Sequence, residues 1–175
     1  MNFFDWTTRV DGFVSVEAST CDRLLSDAGV SPRKRSHLLL HESHADPTQR
    51  LLVAFEQSTY IQPHRHPEQW EMIIPMRGVF ALLLFSDDGF VADRIELTAG
   101  SIPISQITVG AWHTLVALTS SALMLEIKPG PFRVAEFSER FPAENSPEAE
   151  RAARWLASAK VGDRYRRPSS ASMTP

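Results

Sequence analysis

The stretch His64-Arg65-His66-Pro67-Glu68-Gln69-Trp70-Glu71 sets two imidazoles and two carboxylates within a few residues of one another. Residues two apart on an extended strand project from the same face, so His64 and His66 can point together into one interior. A short turn then carries Glu71 to the start of the next extended run. Far downstream, Gly110-Ala111-Trp112-His113 presents a third imidazole. Three ring nitrogens and one carboxylate oxygen form a ligand set for a borderline divalent ion, with positions left for water or a bound molecule. Zinc, iron, manganese, nickel and cobalt all suit such donors, so the reading is one divalent metal of unresolved identity. Closed structural zinc sites draw mainly on cysteine, and this chain has only Cys21.

Around these four ligands the sequence offers further groups. Tyr60 and Gln62 precede His64 on the same run and share its parity, which makes them candidates for the pocket wall. Tyr60 would bring a phenol able to donate a proton, the expected catalytic group. Arg50 has the chemistry to grip a carboxylate or phosphate through two parallel hydrogen bonds, or else to pair with Asp46 or Glu56. His37, His41 and His44 lie in a polar stretch without a clear element, where ordinary polar roles are expected.

The elements that must position these groups read as β-structure. Short β-rich runs succeed one another at 50–56, 59–63, 70–76, 79–86, 90–97, 102–109, 112–118 and 122–128, separated by turn residues. Asp87-Asp88-Gly89 between two apolar runs marks a hairpin. Eight short strands with little helix between them point to an antiparallel barrel of the jelly-roll kind. Pro75 and Pro103 fall within strand positions and imply edges or bulges there. Ser19 or Thr20 can cap a short helix ending at Gly29. Ser146-Pro147-Glu148 looks like the start of a second helix running to about residue 159. The expected organisation is an N-terminal strand and helix extension over 1–30, a barrel over 31–144, a C-terminal helix over 145–163 and a flexible tail over 164–175.

The His64–Glu71 stretch resembles the first signature motif of the cupin superfamily, G(X)5HXH(X)3,4E(X)6G. Four residues separate His66 from Glu71, and six more lead to Gly78, while Ser58 replaces the leading glycine. Gly110-X-X-His113 matches the centre of the second motif, with Thr108 and Ala117 departing from its usual proline and asparagine. More narrowly, the chain is similar to the WbuC family of cupin-fold metalloproteins through Arg35, His41, Asp46, Gln49-Arg50, Thr59-Tyr60, Pro63 to His66, Trp70-Glu71, Trp112 to Thr114 and Glu126-X-Lys128-X-Gly130-Pro131. The resemblance spans about residues 31–144. It implies an all-β cupin jelly-roll barrel with short flanking helices and the ligand set His64, His66, Glu71 and His113. It also singles out His41 as a pocket residue.

Composition sets the remaining bounds. The 175 residues are 43% apolar with a formal net charge of −3, which fits a globular chain. Basic residues are scattered apart from Arg33-Lys34-Arg35, which disfavours a nucleic-acid partner. The longest apolar run, 79–85, is far short of about 20 residues for a membrane span. One cysteine and no visible export signal lead to the expectation of a cytoplasmic protein. Phe3, Phe4, Trp6, Phe13 and Val14 lack a place in an eight-strand barrel, which leads to the expectation of a homodimer. The functional expectation is an enzyme acting on a small sugar-derived or carboxylated metabolite by Lewis-acid isomerase, epimerase or lyase chemistry. A non-catalytic small-molecule sensor and an iron-dependent dioxygenase are the alternatives.

Overall fold

The computed structural model describes residues 8–10 and 13–167. Its body is two five-stranded antiparallel sheets packed face to face, preceded by a hairpin of β1 (Thr8–Val10) and β2 (Phe13–Ser15). Phe3, Phe4 and Trp6, on which the dimer expectation partly rests, lie outside the described residues.

Helix α1 (Ala18–Val30) leads into β3 (Arg35–Leu39) and β4 (Thr48–Glu56). Next come β5 (His64–Arg65), β6 (Glu71–Arg77), β7 (Phe80–Phe85) and β8 (Val91–Leu97). They are followed by β9 (Ser105–Ile107), β10 (Trp112–Ala117), β11 (Ser121–Pro129), β12 (Glu136–Phe137) and α2 (Ala149–Ser158). One sheet runs β12-β5-β10-β7-β8 and the other β3-β4-β11-β6-β9. Neighbours in space are often distant in sequence, which is the jelly-roll pattern.

The core between the sheets is built from Val53, Phe55, Ile73, Phe80, Leu82, Leu97, Ile107, Leu115 and Met124. Both sheets are also covered from outside. Helix α1 lays Cys21, Leu24 and Ala28 on Leu38, Leu52, Ala54 and Leu123. Helix α2 sets Ala152 and Leu156 against Ala81, Leu83, Phe85 and Val116. This double burial explains the unbroken apolar run of β7: Phe80 and Leu82 face the core while Ala81, Leu83 and Phe85 face α2.

The turn at Asp87-Asp88-Gly89 joins β7 to β8, with Gly89 at φ +84°. Pro75 sits where β6 has passed the end of its pairing with β9 and where its register with β11 shifts, so the ladder loses no donor there. Gly78 takes φ +74°, and a Cβ there would lie 2.5 Å from Thr119 Oγ1 and 2.7 Å from the Ser121 carbonyl oxygen. The glycine seven positions beyond Glu71 is thus a packing requirement of the β6–β7 turn.

Several expectations need correction. Residues 59–63 form no strand, and β3 arises within the polar histidine-rich stretch. β3 pairs with the apolar β4 along its whole length, which outweighs its polar composition. Helix α2 begins at Ala149, after a turn that holds Ser146 and Pro147. Gly29 lies inside α1, which stops at Ser31 instead. The tail expected to be loose from 164 is packed through 167. Arg164 bridges to Phe90, Tyr165 is buried against Phe141, and Arg167 donates to the Glu139 and Phe141 carbonyls. Among the described residues, no helix is long and apolar enough to cross a membrane.

Candidate metal centre

His64 lies on β5 and His66 just past its end, Glu71 opens β6, and His113 is the second residue of β10. The ladder places His113 directly opposite His64, and Gly110 N–H donates to the His66 carbonyl at 2.8 Å. These two ties bring the halves of the cluster together across 47 residues of chain. One donor atom from each of His64, His66, Glu71 and His113 lies within 4.8 Å of every other. His66 Nε2 is 2.9 Å from Glu71 Oε2, and His113 Nε2 is 3.7 Å from the same oxygen.

Close as they are, these atoms do not form well-aligned hydrogen bonds. His66 Nε2, His113 Nε2 and Glu71 Oε2 are buried and lack a hydrogen-bond partner among the described residues. Buried polar atoms are ordinarily satisfied, so lone pairs converging on one point indicate a cation between them. The outer nitrogens support this reading. His113 Nδ1 donates to the Ala111 carbonyl at 2.9 Å and His64 Nδ1 to the Gln62 carbonyl at 3.1 Å, which leaves each Nε2 as the bare donor. The residues therefore fit a divalent metal.

Electrostatics agree. Burial, reinforced by the charge of His113, pushes His64 down to about 3, so its ring is neutral at pH 7. Burial alone would raise Glu71, but His113 and His66 beside it hold it well below the ordinary carboxylate range. Burial likewise opposes protonation of His113, yet the adjoining Glu71 carboxylate raises it.

The cluster opens onto a cavity of about 380 Å³, whose lining includes His64, His66 and Glu71. His37 and His41 also line it, together with Gln49, Glu126 and Lys128. His41 is 1% exposed, and its Nδ1 lies 3.0 Å from the Arg50 backbone nitrogen and 2.9 Å from the Arg50 carbonyl oxygen. Gln49 donates to the Asp46 carbonyl and so holds the 43–46 loop at the cavity edge.

Three expected pocket residues lie elsewhere. Tyr60 is packed under α2 with Phe141 and Tyr165, and its hydroxyl donates to the Pro142 carbonyl at 2.8 Å. Burial, with Tyr165 and Glu144 near, pushes its phenol above the ordinary range, away from acid duty at neutral pH. Gln62 donates to the Ser138 carbonyl on the same outer side. Strand parity does not carry back from His64 because 57–63 is not a strand, and Ile61 is the residue that faces the cavity. Arg50 is exposed and sits 3.7 Å from Asp46, because Gln49 and Leu51 take the inward positions of β4.

The residues without an assigned role in the sequence reading are Glu126 and Lys128. Both follow Met124 on the inward face of β11, where they form an ion pair at 2.6 Å. The visible signal was the change from apolar to charged side chains at alternate positions, 122, 124, 126 and 128. Arg35 is buried too, donating to the Tyr60 carbonyl and to both oxygens of Glu144.

A family model described as a domain of unknown function (DUF6016) matches residues 16–97, a span with three of the four donors. No curated protein matches. Among solved structures, a cupin 2 domain-containing protein from Halorhodospira halophila aligns with a TM-score of 0.50 at 16% identity, covering 60% of this chain and 70% of that one. A recombinant oxalate oxidase in complex with glycolate aligns at 0.50 and 17%, covering 62% of this chain and 57% of that one. The fold is a cupin jelly roll. KdgF from Halomonas sp. also aligns, with a TM-score of 0.47 and 18% identity over 59% of this chain and 85% of that one.

Proposed function

We propose that this cupin is a metal-dependent enzyme of the WbuC type, acting on a small sugar-derived or carboxylated metabolite by isomerase, epimerase or lyase chemistry. The observation that carries the reading is the set of buried, unsatisfied donors of His66, Glu71 and His113 beside a cavity of metabolite size. A divalent ion held by His64, His66, Glu71 and His113 would supply a Lewis acid for a carbonyl or hydroxyl oxygen. The surrounding chain supplies the rest. Apolar Leu51, Val53, Leu115 and Met124 shield one side of the cavity from water, while Glu126, Lys128, His37 and His41 give it titratable groups.

A second reading, a ligand-binding cupin that does not turn its ligand over, is favoured by one observation. Tyr60, the expected proton donor, is spent on the Pro142 carbonyl outside the cavity. The two readings separate on a thermal-shift screen of sugar acids, sugar phosphates and dicarboxylates against metal-loaded protein, with each hit then assayed for consumption with and without O2. Turnover of a hit supports the enzyme. A tight binder that is never consumed, whichever metal is supplied, assigns the protein to the sensing class.

A further inference from the structure

We propose that Lys128 is the anion anchor of the cavity: it takes the carboxylate of a small hydroxy- or oxo-acid whose other oxygen faces the four-donor cluster, and Glu126 positions it. This rests on the metal-centre reading above. The argument begins with the strand. On the inward face of β11, Ala122 and Met124 are core residues, and the same face then turns charged at Glu126 and Lys128 as it reaches the cavity. Their side chains are only 11% and 12% exposed. A buried ion pair is a poor source of stability, since apolar residues of similar volume commonly serve as well. Its place on a cavity wall therefore points to a ligand.

The ammonium group has three donors. One goes to Glu126 Oε1 at 2.6 Å, and among the described residues no further hydrogen bond is made by Nζ. The other cations of the lining are differently placed. Arg33 and Arg133 are half-exposed or more and paired with Glu144 and Glu68. Arg35 is committed to the Tyr60 carbonyl and to Glu144.

Register then sets the size of the ligand. The last paired row of β11 and β6 is Ile127 with Met72, so the row beyond it holds Lys128 and Glu71. Neighbours across a ladder have Cβ atoms about 5 Å apart on the same face. The anchor and a metal donor thus stand side by side, and a molecule bridging them needs only one or two carbons between its carboxylate and its metal-facing oxygen. Charge agrees with a monoanion. A divalent ion together with Glu71, Glu126 and Lys128 leaves one positive charge in excess on this wall.

The test uses full-length protein loaded with Mn²⁺ and titrated calorimetrically with glycolate, glycerate and the uncharged ethylene glycol, with metal content measured on each sample. Wild type is expected to bind the two acids in preference to the diol. Lys128→Met should keep its metal and bind the acids about 10- to 100-fold more weakly. The double variant Glu126→Gln/Lys128→Met, which leaves no unpaired buried charge, should lose the same preference if the single variant fails to fold. Glu126→Gln retains an acceptor for Nζ and should bind within about tenfold of wild type, whereas Glu126→Leu should fall to the level of Lys128→Met. Equal acid affinity in wild type and the double variant, or metal-loaded wild type that binds neither acid, overturns the anchor. Wild type that retains no metal overturns the metal-centre reading instead.

Discussion

His113→Ala tests the metal centre most directly. The residue is 1% exposed, and its side chain contributes one of four donor atoms lying within 4.8 Å of one another. Its Nδ1 is already tied to the Ala111 carbonyl, so Nε2 has no other task among the described residues. Loss of an outer partner of a metal ligand typically weakens binding about 10- to 100-fold, so loss of a ligand itself should reach at least ~100-fold. Consider free metal buffered at about 100 times the wild-type Kd, which adds ~2.7 kcal/mol to wild-type stability. The same buffer then sits at about the Kd of the variant and adds only ~0.4 kcal/mol. For a chain of this size, the metal-induced rise in Tm should fall from roughly 5–11 °C to about 1–2 °C. The assay is thermal unfolding with and without buffered metal, run beside elemental analysis and far-UV circular dichroism. A folded variant with full metal occupancy and an undiminished metal-induced rise would refute the assignment.

Three further outcomes follow from the geometry. Gly78→Ala combines a left-handed backbone with a Cβ only 2.9 Å from Ala122 Cβ and nearer still to Thr119 and Ser121. It should cost ~2–5 kcal/mol in chemical denaturation, and a loss below about 0.5 kcal/mol would contradict the turn geometry. Leu156→Ala removes a 1%-exposed side chain that fixes α2 to the outer sheet face. It should cost ~2–5 kcal/mol while leaving metal content unchanged; lost metal would show that α2 supports the site. His37 is pushed down to about 4 by burial, helped by the charges of Arg33 and Lys128, so the unfolded chain binds the extra proton first. That contribution is fully present above pH ~6.5 and is lost as pH falls toward about 4, by on the order of 3 kcal/mol. His37→Asn should flatten this part of the stability–pH curve, and an unchanged slope between pH 7 and pH 4 would refute it.

His64, His66 and Glu71 were legible as a group before any coordinates because their information is local, whereas His113, 42 residues beyond Glu71, entered through the resemblance of Gly110-X-X-His113 to the second motif. Two residues two apart on a strand share a face, and a turn of four residues returns a carboxylate to them. The same holds for the Asp87-Asp88-Gly89 hairpin and for Gly78, where the backbone itself demands glycine. Facing was harder to read. Both sheets are buried on both sides, so a Leu or an Ala says nothing about which side of β4 or β7 it occupies. The sequence pointed to Arg50 for the pocket, and only the pairing of β4 with β11, which sets Gln49 opposite Lys128, puts Gln49 on the cavity side instead.

Tyr60 and Gln62 illustrate the second obstacle. Their parity with His64 holds only if the strand of His64 reaches back through 60–63, and β5 begins at His64. Their final partners are the carbonyls of Pro142 and Ser138, some 80 positions later in the chain, which no local pattern encodes. The packing of Tyr165 onto Phe141 is of the same kind: an Arg-rich stretch beside Pro168 reads as a frayed end, yet one aromatic ring finds a long-range pocket. Sequence alone determined that His64 and His66 could share a metal with a carboxylate returned by the following turn, because spacing along a strand fixes their shared direction. Tertiary structure alone decided which other groups meet that site, because direction across a doubly covered sheet is set by register between distant strands.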